Sequence, residues 1–316
     1  MVANTDLISA AEYNYSRDII NTVLSSYGYT PTSVSVIANV TIVSSQATAY
    51  QWTALYADMN KCAGHQGTTI SLPTLSNIAS GSLVYATDIS KFRVAADLLY
   101  TNRYNIAESS IETLATPSVV YTYPSSWWGA GNSSIQHNFR MEFTNETAAN
   151  AFFNAGGKIL WNASRTDAGS AGYTLQNANW TTLLTNLGTM TYAAGGTTYG
   201  GGAGAFGYYA TPTSSSTQLL AQQGTDTSSS GRGTFYADND CTIYVYKNTT
   251  GTAPFNIYFN IIFRDDDKQN AIGTNPYGNY DYVDGNMIAL VRTIRPSGAN
   301  IDIARPNYYA TKELVV

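Results

Sequence analysis

The sequence predicts an α+β protein: a small N-terminal helical region, then a β-sandwich-like domain with two short helices packed on it. Three observations carry that reading. Apolar residues recur at helical spacing through the first third of the chain. Beyond Thr116-Pro117 they alternate or crowd into β-branched and aromatic runs. Two glycine-stopped helical stretches interrupt those runs. A chain of 316 residues suffices for one large domain or two. The pattern divides it into residues 1–110, read as an assembly or docking region, and residues 111–316.

In "LISAAEYNYSRDIINTVLSS", Leu7, Ile8, Ala11, Tyr15, Ile19, Val23 and Leu24 fall near one helical face. Asp6 is the expected cap and Gly28 the expected stop. A second helix is expected from Ser45 to Gly64, with Trp52, Leu55 and Met59 inward. A third runs from Asp88, burying Ile89, Phe92, Ala95, Ala96 and Leu99.

Strands are then predicted at "SVVYTYP", "SIQHNFRMEF", "KILWNASR", "GTMTYAA", "AFGYYA", "TQLLAQQ", "CTIYVYKN", "FNIYFNIIFRD", "MIALVRTIRP" and "ANIDIARP". Of the two inserted helices, "ETAANAFFNAGG" has Asn145 as cap and Gly156-Gly157 as stop. Here at least one of Phe152 and Phe153 is expected to fill the gap between helix and sheet. The other, "NANWTTLLTNLG", carries Trp180, Leu183, Leu184 and Leu187 and stops at Gly188. The stretches 193–207 and 225–234 are glycine- and serine-rich and read as long loops, the first ordered only by a neighbour.

Charged residues are 12% of the chain, about half the usual share, and the net charge is −5. No basic patch suggests a nucleic-acid partner. No window is long and apolar enough for membrane insertion. The opening "MVANTDLISAAEYNY" has no basic start or apolar run, so no export signal is expected. Tyrosines number 25 and glycines 26, a composition suited to interfaces that desolvate neutral polar surface. Cys62 and Cys241 read as free structural thiols.

Chemistry-bearing patterns are sparse. The two histidines, His65 and His137, lack the nucleophile and carboxylate neighbours of a catalytic triad. Cys62 and His65 have a spacing that suits half a zinc site, but no second pair stands nearby. The glycine stretch lacks the Lys-Ser/Thr of a phosphate loop. Asp265, Asp267, Asp281 and Asp284 are weak calcium candidates in an Asn/Gly-rich stretch, read foremost as a solvated turn. No two acids are singled out as a glycosidase pair. Neither a cofactor nor enzymatic activity is expected.

The segment "SSIQHNFRMEFTNETAANAFFNAGGKILWNASR" followed by "NANWTTLLTNLGTMTY" resembles a virion structural, tail-associated protein family of contractile-tailed bacteriophages, as found in phages of cyanobacteria. The matching positions are Phe143, Asn145, Ala148, Phe152, Phe153, Asn154, Gly156, Gly157, Trp180, Leu183, Leu184, Gly188 and Thr189. Upstream, Trp52, Leu55, Asp58, His65, Gln66 and Asn102 to Tyr104 also match. The resemblance implies a particle component of the neck, baseplate or fibre adaptor, assembled in the host cytoplasm and residing in the virion. Its partners would be other virion proteins, and a ring or trimer is the expected homo-oligomer. The alternative is a tail-fibre module that binds a host surface glycan or receptor. A glycan depolymerase is a third reading.

Overall fold

The computed structural model describes residues 10–33, 47–78, 86–107, 111–115, 119–123, 134–166, 174–224, 239–264 and 285–315. It is α+β, with helices first and two antiparallel sheets after them. The chain forms two compact units. One gathers Met1–Glu112 with Asn150–Gly157 and Arg295–Ala304; the other holds Thr113–Ala149, Lys158–Ile294 and Arg305–Val316.

The first unit is built on α1 (Ala10–Ser26), α2 (Ala49–Gln66) and α3 (Ala86–Thr101), which pack pairwise. Trp52 lies at the centre, edge-on to Tyr13 at 5.0 Å and tilted on Phe92 at 4.8 Å. The expected inner face of α3 is buried in full. That of α1 is rotated: Tyr13, Ile20, Val23 and Leu24 are inside, whereas Tyr15 is 38% exposed. The rotation takes Ser16 and Arg17 into the interior, and the Arg17 guanidinium is held by Asp18. Leu7, Ile8 and Asp6 lie outside the described residues.

Helix α2 also departs from expectation. Its cap is Thr48, in a reciprocal box with Gln51, and Ser45 lies outside the described residues. The helix runs through Gly64 to Gln66 and stops at Gly67, which has φ 67°. Gly64 serves packing: a Cβ there would collide with the Asn300 amide. Gly28 does end α1, at φ 78°.

Helix α4 (Glu146–Asn154) begins as expected, with Asn145 Oδ1 accepting from Ala148 N at 2.9 Å. Its end joins the first unit, where Asn154 Nδ2 donates to Ser26 O at 3.0 Å. Phe152 and Phe153, both fully buried and edge-on to each other at 5.1 Å, are grouped with the helical unit.

In the second unit, one sheet has the order β1-β11-β4-β5-β6-β7, with β2 also on β11. These are Ile111–Ala115 (β1), Val119–Tyr123 (β2), Lys158–Thr166 (β4), Met190–Tyr192 (β5), Thr197–Tyr199 (β6), Gly202–Ala203 (β7) and Gly285–Pro296 (β11). The other sheet has the order β12-β3-β10-β9-β8, made of Asn307–Val315 (β12), Ser134–Phe143 (β3), Phe255–Arg264 (β10), Asp240–Lys247 (β9) and Thr217–Gln223 (β8). The sheets meet through aromatic rings: Trp161 on Phe263 at 6.0 Å and Tyr192 on Phe259 at 5.2 Å. Helix α5 (Thr174–Leu187) packs on β4 and β8, with Trp180 at 6.3 Å from Phe263, and ends at Gly188 with φ 59°.

Two expected strands are not strands. "AFGYYA" is irregular, ending in a 3-10 turn at Tyr208–Ala210. "ANIDIARP" contributes only the isolated bridge Ser297–Asp302, and the chain's last strand is β12 instead. The glycine stretch 193–207 is also more than a loop. It forms β6 and β7 and is fixed by main-chain bonds such as Gly200 N to Leu187 O (2.8 Å) and Ala205 N to Leu219 O (2.8 Å). At Gly200 and Gly207 a Cβ would run into neighbouring backbone, so absence of a side chain is what permits the order. The stretch 225–234 lies outside the described residues.

Candidate functional site

Strict alternation on β3 and β10 sends Phe139, Met141, Ile257, Phe259 and Ile261 to the core. The other parity therefore lines the outer face of the five-stranded sheet. Register then sets side chains from four strands in one row: Tyr309 pairs with Arg140, Arg140 with Tyr258, and Tyr258 with Tyr246. Asn138 and Asn260 pair with each other in the adjacent row. Beside the tall Tyr-Arg row, these short amides leave an open trough of about 290 Å³.

The row is held by ring contacts. Tyr246 and Tyr258 stack at 4.6 Å with an 8° interplanar angle. The Arg140 guanidinium lies 4.6 Å from the Tyr309 ring centroid, and its charge is matched by Glu142 at 3.4 Å. Tyr309 Oη also donates to Glu142 Oε1 at 3.4 Å. Burial, helped by the neighbouring Tyr258, raises the Tyr246 phenol above its ordinary value, so it remains a hydroxyl at neutral pH. Asn138 Oδ1, Asn260 Oδ1 and Arg140 Nε lie below the surface with no hydrogen-bond partner. The trough is thus electrically balanced, aromatic-walled and carries unmet donor and acceptor capacity.

The residues singled out by the sequence lie elsewhere. Phe152, Phe153, Gly156 and Gly157 belong to the helical unit, and Trp180, Leu183 and Leu184 are buried on α5 in the β-rich unit. Gly156 N donates to Phe153 O at 3.1 Å and Gly157 N to Phe152 O at 2.8 Å, a Schellman stop with Gly156 at φ 85°. Every one of these positions is spent on packing or chain reversal. Asp265, Asp267, Asp281 and Asp284 lie outside the described residues. Among the described residues, no three His, Cys, Asp or Glu groups gather as a metal site. Cys62 and Cys241 are free and buried; burial pushes the Cys62 thiol up to about 12. His65 and His137 are buried, and desolvation lowers each to about 4. No described helix is long and apolar enough to cross a membrane.

Sequence reasoning passed over the trough residues because each looks like an ordinary outward strand position. The available signal was their chemistry: Gln136, Asn138, Arg140 and Glu142 on one strand, Asn256, Tyr258 and Asn260 on its neighbour. Such positions on a plain solvated sheet favour threonine and lysine. No family model, curated protein or solved structure matches this chain.

Proposed function

We propose that this chain is a non-enzymatic structural protein of a contractile-tailed bacteriophage particle, a tail component of the neck, baseplate or fibre-adaptor kind that assembles by protein–protein contacts. The carrying observation is where the "FFNAGG" and "WTTLL" residues go. Phe152, Phe153 and Trp180 are 0% exposed, and Leu183 and Leu184 are 1% and 4% exposed. The residues that bear the family resemblance thus build the scaffold and present no reacting group. The low charge of the chain agrees with large interfaces, where a buried unpaired ion costs several kcal/mol, roughly. Partners on this reading are other virion proteins and further copies of the chain in a ring or trimer.

The glycan- or receptor-binding alternative retains one specific observation, the trough on the five-stranded sheet. Mass spectrometry of purified particles, with gold-labelled antibody to place the chain, tests the leading reading. Label at the collar or baseplate is the expected result. Absence from the particle, or hydrolysis of host polysaccharide by the purified chain, would overturn it.

A further inference from the structure

We propose that the trough on the outer face of the five-stranded sheet is a binding subsite for a neutral oligosaccharide, with Asn138 and Asn260 as its floor and Arg140, Tyr246, Tyr258 and Tyr309 as its wall. Four features of the trough converge on that ligand class.

The first is charge. Arg140 is matched by Glu142 and covers the Tyr309 ring, so the wall offers no free charge to an anion or a cation. A phosphate or a sulfated polymer would have to break that pairing. The second is hydrogen bonding. Arg140 Nε and the Oδ1 atoms of Asn138 and Asn260 lie buried beneath the trough without partners, so a hydroxyl that parts these side chains gains one unmet donor and two unmet acceptors. A sugar hydroxyl both donates and accepts, which suits this mixture, and a buried polar atom left unmet is costly.

The third is ring carbon. Tyr246 and Tyr258 cover one face of each other, and the three tyrosines supply apolar surface and phenol hydroxyls for the C–H face of a sugar ring. The fourth is topology. β3 and β10 are interior strands, paired on both sides along this stretch. A peptide cannot add there as an extra strand, because no backbone group is free, so recognition rests on side chains alone. A small, hydroxyl-dense ligand fits that demand, and the trough's size is at the lower end for ligand sites, room for one or two sugar rings.

The test is saturation-transfer NMR on the full chain. The probes are neutral oligosaccharides of glucose, galactose, mannose and N-acetylglucosamine, with heparin fragments and an oligothymidylate as anionic comparisons. A neutral probe should bind, and Tyr309→Ala and Asn260→Ala should each weaken it by about tenfold with the melting temperature held. Tyr50→Ala, at a residue of the other unit that is 81% exposed, should leave it unchanged. Should either trough variant melt early, Asn138→Ala reads the same floor. No binding by any neutral probe, binding of the anionic probes alone, or binding indifferent to all three trough variants overturns the subsite. None of these outcomes bears on the particle assignment, which is read from particle composition.

Discussion

Trp161 Nε1 donates to His137 Nδ1 at 3.0 Å, joining the two facing sheets at the centre of their shared core. An indole N–H only donates, so Nδ1 is bare and the imidazole proton sits on Nε2, 3.5 Å from the Tyr308 hydroxyl. In the helical unit His65 is the same tautomer, since its Nε2 lies 3.1 Å from Ala155 O, an acceptor. Protonating His137 would set two N–H groups against each other in a dry core.

This geometry gives the first prediction, an acid-sensitive fold. Both rings hold a proton less tightly folded than unfolded, each lowered by burial to about 4. The stability they contribute is therefore complete above the unfolded value, about 6.5, and is lost as pH falls from there towards the folded value. Each ring should add a slope of about 1.4 kcal/mol per pH unit across that window. Urea melts at stepped pH measure it, and His137→Gln should remove one ring's share. A variant with the wild-type slope would refute the assignment.

Asp58 is the second case. It is 3% exposed on α2, and its carboxylate accepts from Thr32 N at 2.9 Å, Ser33 N at 2.8 Å and Thr32 Oγ1 at 2.7 Å. Removing it strands two amides and leaves the Thr32 hydroxyl only Ala54 O, at 3.5 Å. Asp58→Ala should cost about 3 kcal/mol, the range for charge-assisted bonds to a buried carboxylate. Amide exchange at Thr32 and Ser33 should speed up, and unaltered exchange there would show that the loop is held by something else.

Gly156 and Gly157 differ in why they are glycine. Gly156 needs a left-handed backbone, and a Cβ there would lie 3.0 Å from Tyr104 O and 3.1 Å from Ile106 Cβ. Gly157 lacks a positive φ, but a Cβ would strike the Phe152 carbonyl and ring. Gly156→Ala should cost about 1–2 kcal/mol for conformation. Gly157→Ala should cost more, because its Cβ would come to 2.5 Å from the Phe152 carbonyl and 2.7 Å from its ring, closer than the 3.0 Å at Gly156. Thermal melts of both variants check the order, and wild-type melting by Gly157→Ala would contradict the packing argument.

How much of this was legible depends on how many residues vote on a feature. The inner face of α3 was readable because five apolar side chains agree. On α1 two faces compete, and apolar spacing favours Tyr15 over Tyr13 because the buried face includes Ser16 and Arg17. In the glycine stretch, poverty in apolar side chains is not poverty in order: its order is in main-chain bonds, which composition does not display. The chemistry of the outer-face strands is readable, but which of their residues share a row is not. Arg140, Tyr258 and Tyr309 are neighbours only through strand register, the first and last being 169 positions apart (309 minus 140).

The last prediction concerns removal of residues 1–110. Composition alone suggests that the remainder stays folded and loses only its place in the particle. The structure argues otherwise, because the helical unit is completed by two segments from later in the chain. Phe152 and Phe153 are fully buried and grouped with it, Ala155 O meets His65, and Asn154 bonds Ser26 O. From the other segment, Ile301 is 0% exposed and Asp302 exchanges bonds with the Tyr29 hydroxyl. Deleting residues 1–110 would strip the hydrogen-bond partners from both segments, and each phenylalanine this brings to water would cost about 1.5–3 kcal/mol of burial. The truncated chain should bind hydrophobic dyes and aggregate, and Phe153→Ala in the full chain should cost about 3–5 kcal/mol. A truncated chain that stays monodisperse and dye-negative would show that the later segments do not need the helices. For the same reason, loss of particle incorporation on truncation reports misfolding before it reports an interface. Full-length surface variants, such as Val94→Glu at a residue 64% exposed on α3, are the cleaner probe of assembly.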